Sequence, residues 1–302
     1  MDGILVLNKP VGPTSLDMVR LVKRLTGEKR VGHAGTLDPA ASGVLPVLLG
    51  SATRASEFLL SAPKTYRGVV RLGIETDTYD AAGAVMREAD CSAVTRGQVE
   101  QVLKRFQGIV LQKPPMYSAL KHKGKPLYKL ARKGIEVERE PREVRIDSIA
   151  LIAWAPPLLT LDVRCGRGTY IRSLAHDLGE ALGCGAHLAA LERTRVGPFA
   201  VEDALTVERL HDAAHGGHLA EEAYALDWTM LDLPAAILSD DEEDAVRSGR
   251  AIATDPDASR SDRKDPCRAY GESGVLIGMI AYDANEQRWR PTKIFPREAP
   301  AG

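Results

Sequence analysis

The sequence predicts a mixed α/β or α+β fold, because helical and extended signals alternate along the chain. Its 302 residues suit one large or two modest domains, and a 44 % hydrophobic content is ample for a packed core. The first helical signal opens at Ser15, a capping residue, and runs to about Leu25. Leu16, Val19, Val22 and Leu25 share one face there, and Gly27 stops it. Thr65 to Leu72 alternates with period two, so Tyr66, Gly68, Val70 and Leu72 share one strand face and Arg67, Val69 and Arg71 the other. Thr95 is placed to cap a helix carrying Val99, Val102, Leu103 and Phe106, while 144–152 and 158–165 read as strands separated by Pro156 and Pro157. Thr169 is placed to cap a helix over 170–182, whose Ile171, Leu174, Ala175, Leu178 and Leu182 form an apolar stripe ended by Gly183. Arg172 projects away from that stripe.

Composition removes several classes of function. Met1-Asp2-Gly3 lacks the basic start of a signal peptide, and no apolar run reaches the ~20 residues of a membrane span, so a cytoplasmic location is expected. Cys91, Cys165, Cys184 and Cys267 are widely separated with no C-x-x-C pair, which favours reduced, structural thiols. Gly166-x-Gly168 lacks the third glycine of a dinucleotide fingerprint, and Gly124-Lys125 is followed by Pro126 rather than Ser or Thr, so no nucleotide cofactor is expected. The seven histidines contain no H-E-x-x-H pair, and His211, His215 and His218 lie in an acidic stretch where exposure is the ordinary reading. Neither a metal nor any other cofactor is expected.

A net charge of −1 hides a strong asymmetry. Residues 1–201 hold 29 Lys and Arg against 20 Asp and Glu, whereas 202–244 hold 1 against 13. The densest basic run carries Lys121, Lys123, Lys125, Lys129, Arg132 and Lys133 with no acid, interleaved with Tyr117 and Tyr128. Such a run could grip a phosphate backbone, although most charge runs are solvated surface loops.

One acidic side chain stands out. In Gly32-His33-Ala34-Gly35-Thr36-Leu37-Asp38-Pro39, glycines and a proline shape a loop that leads into the apolar run 44–49. Asp38 is a turn cap on the bland reading and a placed carboxylate on the sharper one. The segment from His33 to Pro46 resembles the catalytic motif of the TruB family, the tRNA pseudouridine-55 synthases. Matching blocks lie at Gly3 to Ser15, Lys64-Thr-Tyr66-Arg67, Thr76 to Gly83, Pro114 to Lys121, Gly124 to Arg132, Cys165 to Arg172 and Leu191-Glu-Arg193-Thr194. The likeness extends from Gly3 to about Phe199.

The resemblance implies a pseudouridine synthase fold: α+β, with a central, largely antiparallel sheet flanked by helices and a small PUA-like β-barrel at the C-terminus. It implies a catalytic domain over 1–233 with an RNA-gripping insertion at about 114–142, and a PUA-like RNA-binding domain over 234–302. Residues 202–244 are expected to form helices bridging the two, and the polar stretch Asp255–Pro266 a mobile insertion. The implied reaction is cofactor-free isomerisation of uridine 55 in the tRNA T-arm, with the base flipped into a pocket. Asp38 then matches the nucleophile, Arg172 its partner, which would favour the charged carboxylate, and Tyr66 the tyrosine that stacks on the base and removes the proton from carbon 5. His33 matches the residue that fills the gap in the RNA, and Tyr170 and Leu191 match pocket walls. Lys9, Thr36, Lys121, Lys123, Lys125, Lys129 and Arg132 complete the expected substrate and RNA contacts. Glu192 departs from the family, which usually carries a basic residue there. The expected partner is tRNA and the expected state a monomer. The alternatives are a protein that binds and folds tRNA without essential catalysis, and a synthase for another RNA site.

Overall fold

In the computed structural model, residues 1–118, 120–122, 124–131, 133–253 and 265–296 are described. The strands are β1 (Gly3–Lys9), β2 (Val31–His33), β3 (Ala41–Leu49), β4 (Lys64–Leu72), β5 (Ile74–Thr76), β6 (Val85–Glu88), β7 (Gly108–Gln112), β8 (Lys121–His122), β9 (Lys125–Pro126), β10 (Arg142–Ala155), β11 (Leu158–Cys165), β12 (Ala186–Val196), β13 (Phe199–Ala200), β14 (Ala235–Leu238), β15 (Cys267–Gly271), β16 (Leu276–Asp283) and β17 (Arg288–Ile294). The helices are α1 (Ser15–Thr26), α2 (Ser56–Ser61), α3 (Arg96–Leu103), α4 (Leu127–Ala131), α5 (Ile171–Leu182), α6 (Val207–His215) and α7 (Asp240–Arg247).

A nine-stranded sheet organises the larger part in the order β1-β3-β12-β4-β11-β10-β7, with β2 and β13 pairing off that path. It is antiparallel except where β12 runs parallel to β3, with Leu191 opposite Ala41 and Arg193 opposite Gly43. That junction matters for the site. It sets the loop before β3 beside β12 and β4, whose residues 66 and 193 are cross-strand neighbours. Gly43, at φ +105°, is required there, since a Cβ would lie 2.2 Å from the Arg193 carbonyl oxygen.

The alternation in β4 holds, with Gly68, Val70 and Leu72 buried and Arg67 and Arg71 exposed. Val70, Leu72, Leu161 and Val163 of the sheet pack with Leu174, Ala175 and Leu178 of α5 in one core, and burial of such side chains contributes roughly 1.5–3 kcal/mol each. Thr95 caps α3 as expected, in a reciprocal capping box with Gln98.

Two expected caps shift by one residue. α1 is capped by Thr14, in a box with Asp17, because the Ser15 hydroxyl is taken by both the N–H and the carbonyl of Leu37. The buried stripe of α1 is therefore Ser15, Met18, Val19 and Val22, and Leu16 is exposed. α5 begins after Tyr170, because Thr169 donates its hydroxyl to the Gly166 carbonyl instead of capping. Strand β10 is longer at both ends than the expected 144–152.

Beyond β13 the chain forms α6, short 3-10 turns, β14 and α7, and β14 joins the three strands that follow in a four-stranded sheet of order β14-β15-β16-β17. The expected closed β-barrel is not what the described residues form: the edge strands β14 and β17 share no ladder, so the sheet stays open. Met279 and Phe295 join Ile4, Val44 and Phe199 in a shared core, fixing this sheet to the larger one. The polar stretch expected at Asp255–Pro266 lies almost wholly outside the described residues, as do Lys123 and Arg132. All four cysteines are free thiols. No helix among the described residues is long and apolar enough to cross a membrane.

Candidate active site

A cavity of about 400 Å³ opens where the loop after β2, strands β4 and β12 and the start of α5 converge. Thr36, Asp38, Tyr66, Tyr170, Arg172 and Leu191 all line it. The sequence scatters them over more than 150 positions; the β3–β12 pairing brings them together.

Asp38 is presented by a loop anchored at both ends. Leu37 is held through Ser15, and the Ala41 N–H donates to the Asp38 carbonyl at 3.0 Å. The Asp38 Oδ2 lies 2.9 Å from Arg172 Nη2. Arg172 does leave the apolar stripe of α5, yet it is buried, at 7 % side-chain exposure against 42 % for Asp38. Its Nη2 also donates to the Tyr117 carbonyl at 2.7 Å, and Nη1 faces the Thr78 carbonyl at 3.4 Å and Asp80 Oδ2 at 3.5 Å. One guanidinium thus joins the acidic loop, the turn before β6 and the segment after β7.

Arg172 favours the charged Asp38 carboxylate, but other influences act on the same group. Burial raises the Asp38 pKa, Arg172 pulls it back, Asp80 raises it again and Lys9 lowers it, and the net direction is up. Desolvation therefore outweighs a short ion pair here. Tyr66 is also pushed up, first by burial, with Arg193 opposing, so the phenol keeps its proton at neutral pH.

Lys9 and His33 do not line the cavity. Lys9 is buried behind it, donating to the carbonyls of Pro10 (2.7 Å) and Pro13 (2.9 Å), and burial depresses its pKa to about 8. His33 ends β2, and its Nδ1 is buried with no hydrogen-bond partner. Burial, then Arg193, lowers its pKa. Lys125 is exposed on β9 and Lys129 lies on α4, while of Lys121 only the backbone in β8 is described.

Three residues at the site escaped the sequence reading. Arg193 is only 1 % exposed and donates to the carbonyls of Val44 (2.8 Å) and Gly35 (3.1 Å), tying β12 to the acidic loop. The signal was present, since strand alternation puts residue 193 on the face of Leu191. Asp80 lies in a turn whose Asp-x-x-Asp pattern reads as local capping, and nothing in that pattern points to α5. Gln112 has no local signal either. Its amide bonds both backbone groups of Tyr170, at 2.7 and 3.0 Å, and so fixes the entry to α5. Among the described residues no group of three or more His, Cys, Asp or Glu is arranged to hold a metal.

Comparison with known proteins agrees with this architecture. Residues 23–171 match the model of the TruB family pseudouridylate synthase N-terminal domain, and 172–244 that of the tRNA pseudouridylate synthase B C-terminal domain. The chain is 43 % identical over 300 residues to a tRNA pseudouridine synthase B of Dehalococcoides mccartyi, covering 99 % of this chain and 98 % of that one. It is 45 % identical over 281 residues to the protein of that name from Geobacter sulfurreducens, covering 93 % and 88 %. Among solved structures it resembles an H/ACA RNP bound to a substrate RNA containing 2'-deoxyuridine (27 % identity, TM-score 0.75, 98 % of this chain and 86 % of that one). It also resembles a Cbf5-Nop10-Gar1 complex (29 %, TM-score 0.74, covering 98 % and 84 %). With relatives above 40 % identity over nearly its whole length, the chain belongs to the TruB family of pseudouridylate synthases.

Proposed function

We propose that this protein isomerises uridine 55 in the T-arm of tRNA to pseudouridine. The observation that carries the reading is the Asp38 carboxylate held 2.9 Å from a buried arginine at the wall of a cavity of about 400 Å³. Such a volume suits a single nucleotide and excludes a stacked helix, so the target must leave the RNA stack, at about a few kcal/mol. Tyr66 and Leu191 offer the flipped base an aromatic and an aliphatic surface, Tyr170 and Thr36 bound it, and His33 fills the gap left in the RNA. Asp38 is the nucleophile, and Arg172 aims it. Tyr66 gives its phenolic proton to solvent water and then takes the proton from carbon 5, with Arg193 stabilising the intervening phenolate. No cofactor enters the reaction.

Lys121, Lys123, Lys125, Lys129 and Arg132 of the insertion at about 114–142 grip phosphates, and Lys9 supports the acidic loop from behind. We read 1–233 as the catalytic unit and 234–302 as an accessory RNA-binding unit, in a cytoplasmic monomer. The test is tritium release from carbon 5 of uridine in an unmodified tRNA transcript. Release that needs both Asp38, judged with Asp38→Asn, and the T-arm uridine supports the reading. Binding of the transcript without release replaces it with a tRNA-folding role, and release from another uridine replaces the site.

A further inference from the structure

A second cluster lies beside the cavity and takes no part in the chemistry above. Tyr79 sits between the two groups of the β5–β6 turn that face Arg172, the Thr78 carbonyl and the Asp80 carboxylate. Its φ is +64°, a conformation that glycine adopts freely and tyrosine does not. A residue held there against its preference has a side chain worth keeping. The Tyr79 ring lies on the ring of His176, centroids 4.0 Å apart and planes within 13°. His176 is one turn beyond Arg172 on α5, so both project from the same side of the helix.

The rest of the turn is fastened around that stack. Glu75 Oε1 lies 3.2 Å from His176 Nδ1, a buried nitrogen that makes no hydrogen bond, and Arg87 reaches Glu75 (3.8 Å), Glu180 (3.4 Å) and the Gly183 carbonyl (2.9 Å). Leu188 of β12 donates its N–H to the Tyr79 carbonyl at 3.0 Å and accepts from the Ala81 N–H at 3.1 Å. The Asp80 Oδ1 is taken by the Thr78 hydroxyl at 2.6 Å and the Ala82 N–H at 3.1 Å, leaving Oδ2 to Arg172. Backbone bonds thus set the height of the turn above the sheet, and the ring stack sets its distance from α5.

We infer that Tyr79 and His176 are positioning residues: their stack holds the Thr78 carbonyl and the Asp80 carboxylate against Arg172, and so fixes the guanidinium on Asp38. Neither residue lines the cavity that holds Asp38; they line a neighbouring one of about 460 Å³. The inference rests on the isomerase reading for its kinetic consequence, but its structural content is independent of that reading.

The test compares Tyr79→Gly, which relieves the backbone and removes the ring, with Tyr79→Phe, which keeps the ring. In the tritium-release assay Tyr79→Gly is expected to lower kcat at least 10-fold with KM within twofold and an unchanged or raised Tm. Its acid limb moves to higher pH, because Arg172 opposes the rise in the Asp38 pKa. Tyr79→Phe restores kcat to within twofold and returns the acid limb. Adding His176→Ala to Tyr79→Gly lowers kcat no further than the worse single change, as for two halves of one contact. Titration of Asp38 by carbon-13 NMR, which needs no activity, is expected to show the same upward displacement in Tyr79→Gly. An unmoved Asp38 titration overturns the inference whether or not the wild type is an isomerase. So does a Tyr79→Phe variant as impaired as Tyr79→Gly, or a kcat loss that only follows a loss of Tm. A wild type without tritium release, but with the NMR displacement present, leaves the inference standing and removes the isomerase reading.

Discussion

Replacing Arg172 by lysine separates charge from geometry, because the cation stays and the planar fork goes. The guanidinium makes two short bonds from one nitrogen, 2.9 Å to Asp38 and 2.7 Å to the Tyr117 carbonyl, and two longer contacts from the other. An ammonium on a shorter, more flexible stem keeps at most part of this set. Loss of one charge-assisted bond to Asp38 removes about 1.5–3 kcal/mol. At about 1.4 kcal/mol per tenfold in rate, kcat then falls roughly 10- to 150-fold. The buried site also loses a partner for at least one carbonyl, at about 1–3 kcal/mol, which lowers Tm by roughly 1.5–5 °C in a protein of this size. The assay is single-turnover tritium release with saturating enzyme, which reads the chemical step without product release. A kcat within twofold of wild type would refute the reasoning, since it would mean that the fork is not what aims Asp38.

Asp38→Asn abolishes release, yet it is expected to raise Tm near pH 7–8. The folded-state pKa of Asp38 lies above its unfolded value of 3.8, so its stabilising contribution is full below 3.8 and is lost as pH rises through the folded value. The Tm gap between variant and wild type therefore closes in acid, which thermal melts across pH measure. By the same sign, the acid limb of wild-type kcat sits above 3.8, and a limb at or below that value contradicts the dominance of burial. Gly43→Ala forces a Cβ to 2.2 Å from the Arg193 carbonyl at φ +105° and is expected to cost roughly 2–4 kcal/mol, read as a lower urea midpoint at unchanged slope. Gln112→Leu leaves the backbone N–H and carbonyl of Tyr170 without their partner, so KM for the transcript rises severalfold while kcat changes less.

The parts of this structure that follow a local period were readable in advance. Strand β4 and helix α5 are examples, because Val70 and Leu72, or Leu174 and Leu178, bury one face of one element whatever that element packs against. The caps were less so. Thr14 and Ser15 are equally good caps in isolation, and the choice between them is made by Leu37, 22 residues away, which takes the Ser15 hydroxyl. Arg172 shows the same limit more sharply. Helical spacing places it off the apolar stripe, where solvent is the default, and its burial comes from Tyr117 and Asp80, contacts 55 and 92 residues distant. The open C-terminal sheet escaped because alternating short strands specify pairing but not closure. Asp38, Tyr66 and Leu191, named by resemblance, are far apart in the sequence, and the fold explains how they meet: β12 pairs with β3 on one side and with β4 on the other.

The cations of this protein divide into two sets, and the division bears on what each can do. Lys9, Lys64 and Arg193 are buried near the cavity, and each is tied to backbone carbonyls: Lys9 to Pro10 and Pro13, Lys64 to Leu59, Leu60 and Ala62, Arg193 to Val44 and Gly35. Groups so engaged cannot swing out to a phosphate without leaving several buried acceptors unpaired, at about 1–3 kcal/mol each. What they contribute is a fixed positive potential, which for Asp38 opposes the rise that burial imposes through Lys9 and Arg172. The exposed cations, Lys125, Lys129 and Lys133 among them, stand in solvent, where salt screens their charge. The buried set is shielded from that screening. The fixed potential at the carboxylate and the exposed basic surface are therefore separate properties of the fold, and neither depends on the overall charge of −1.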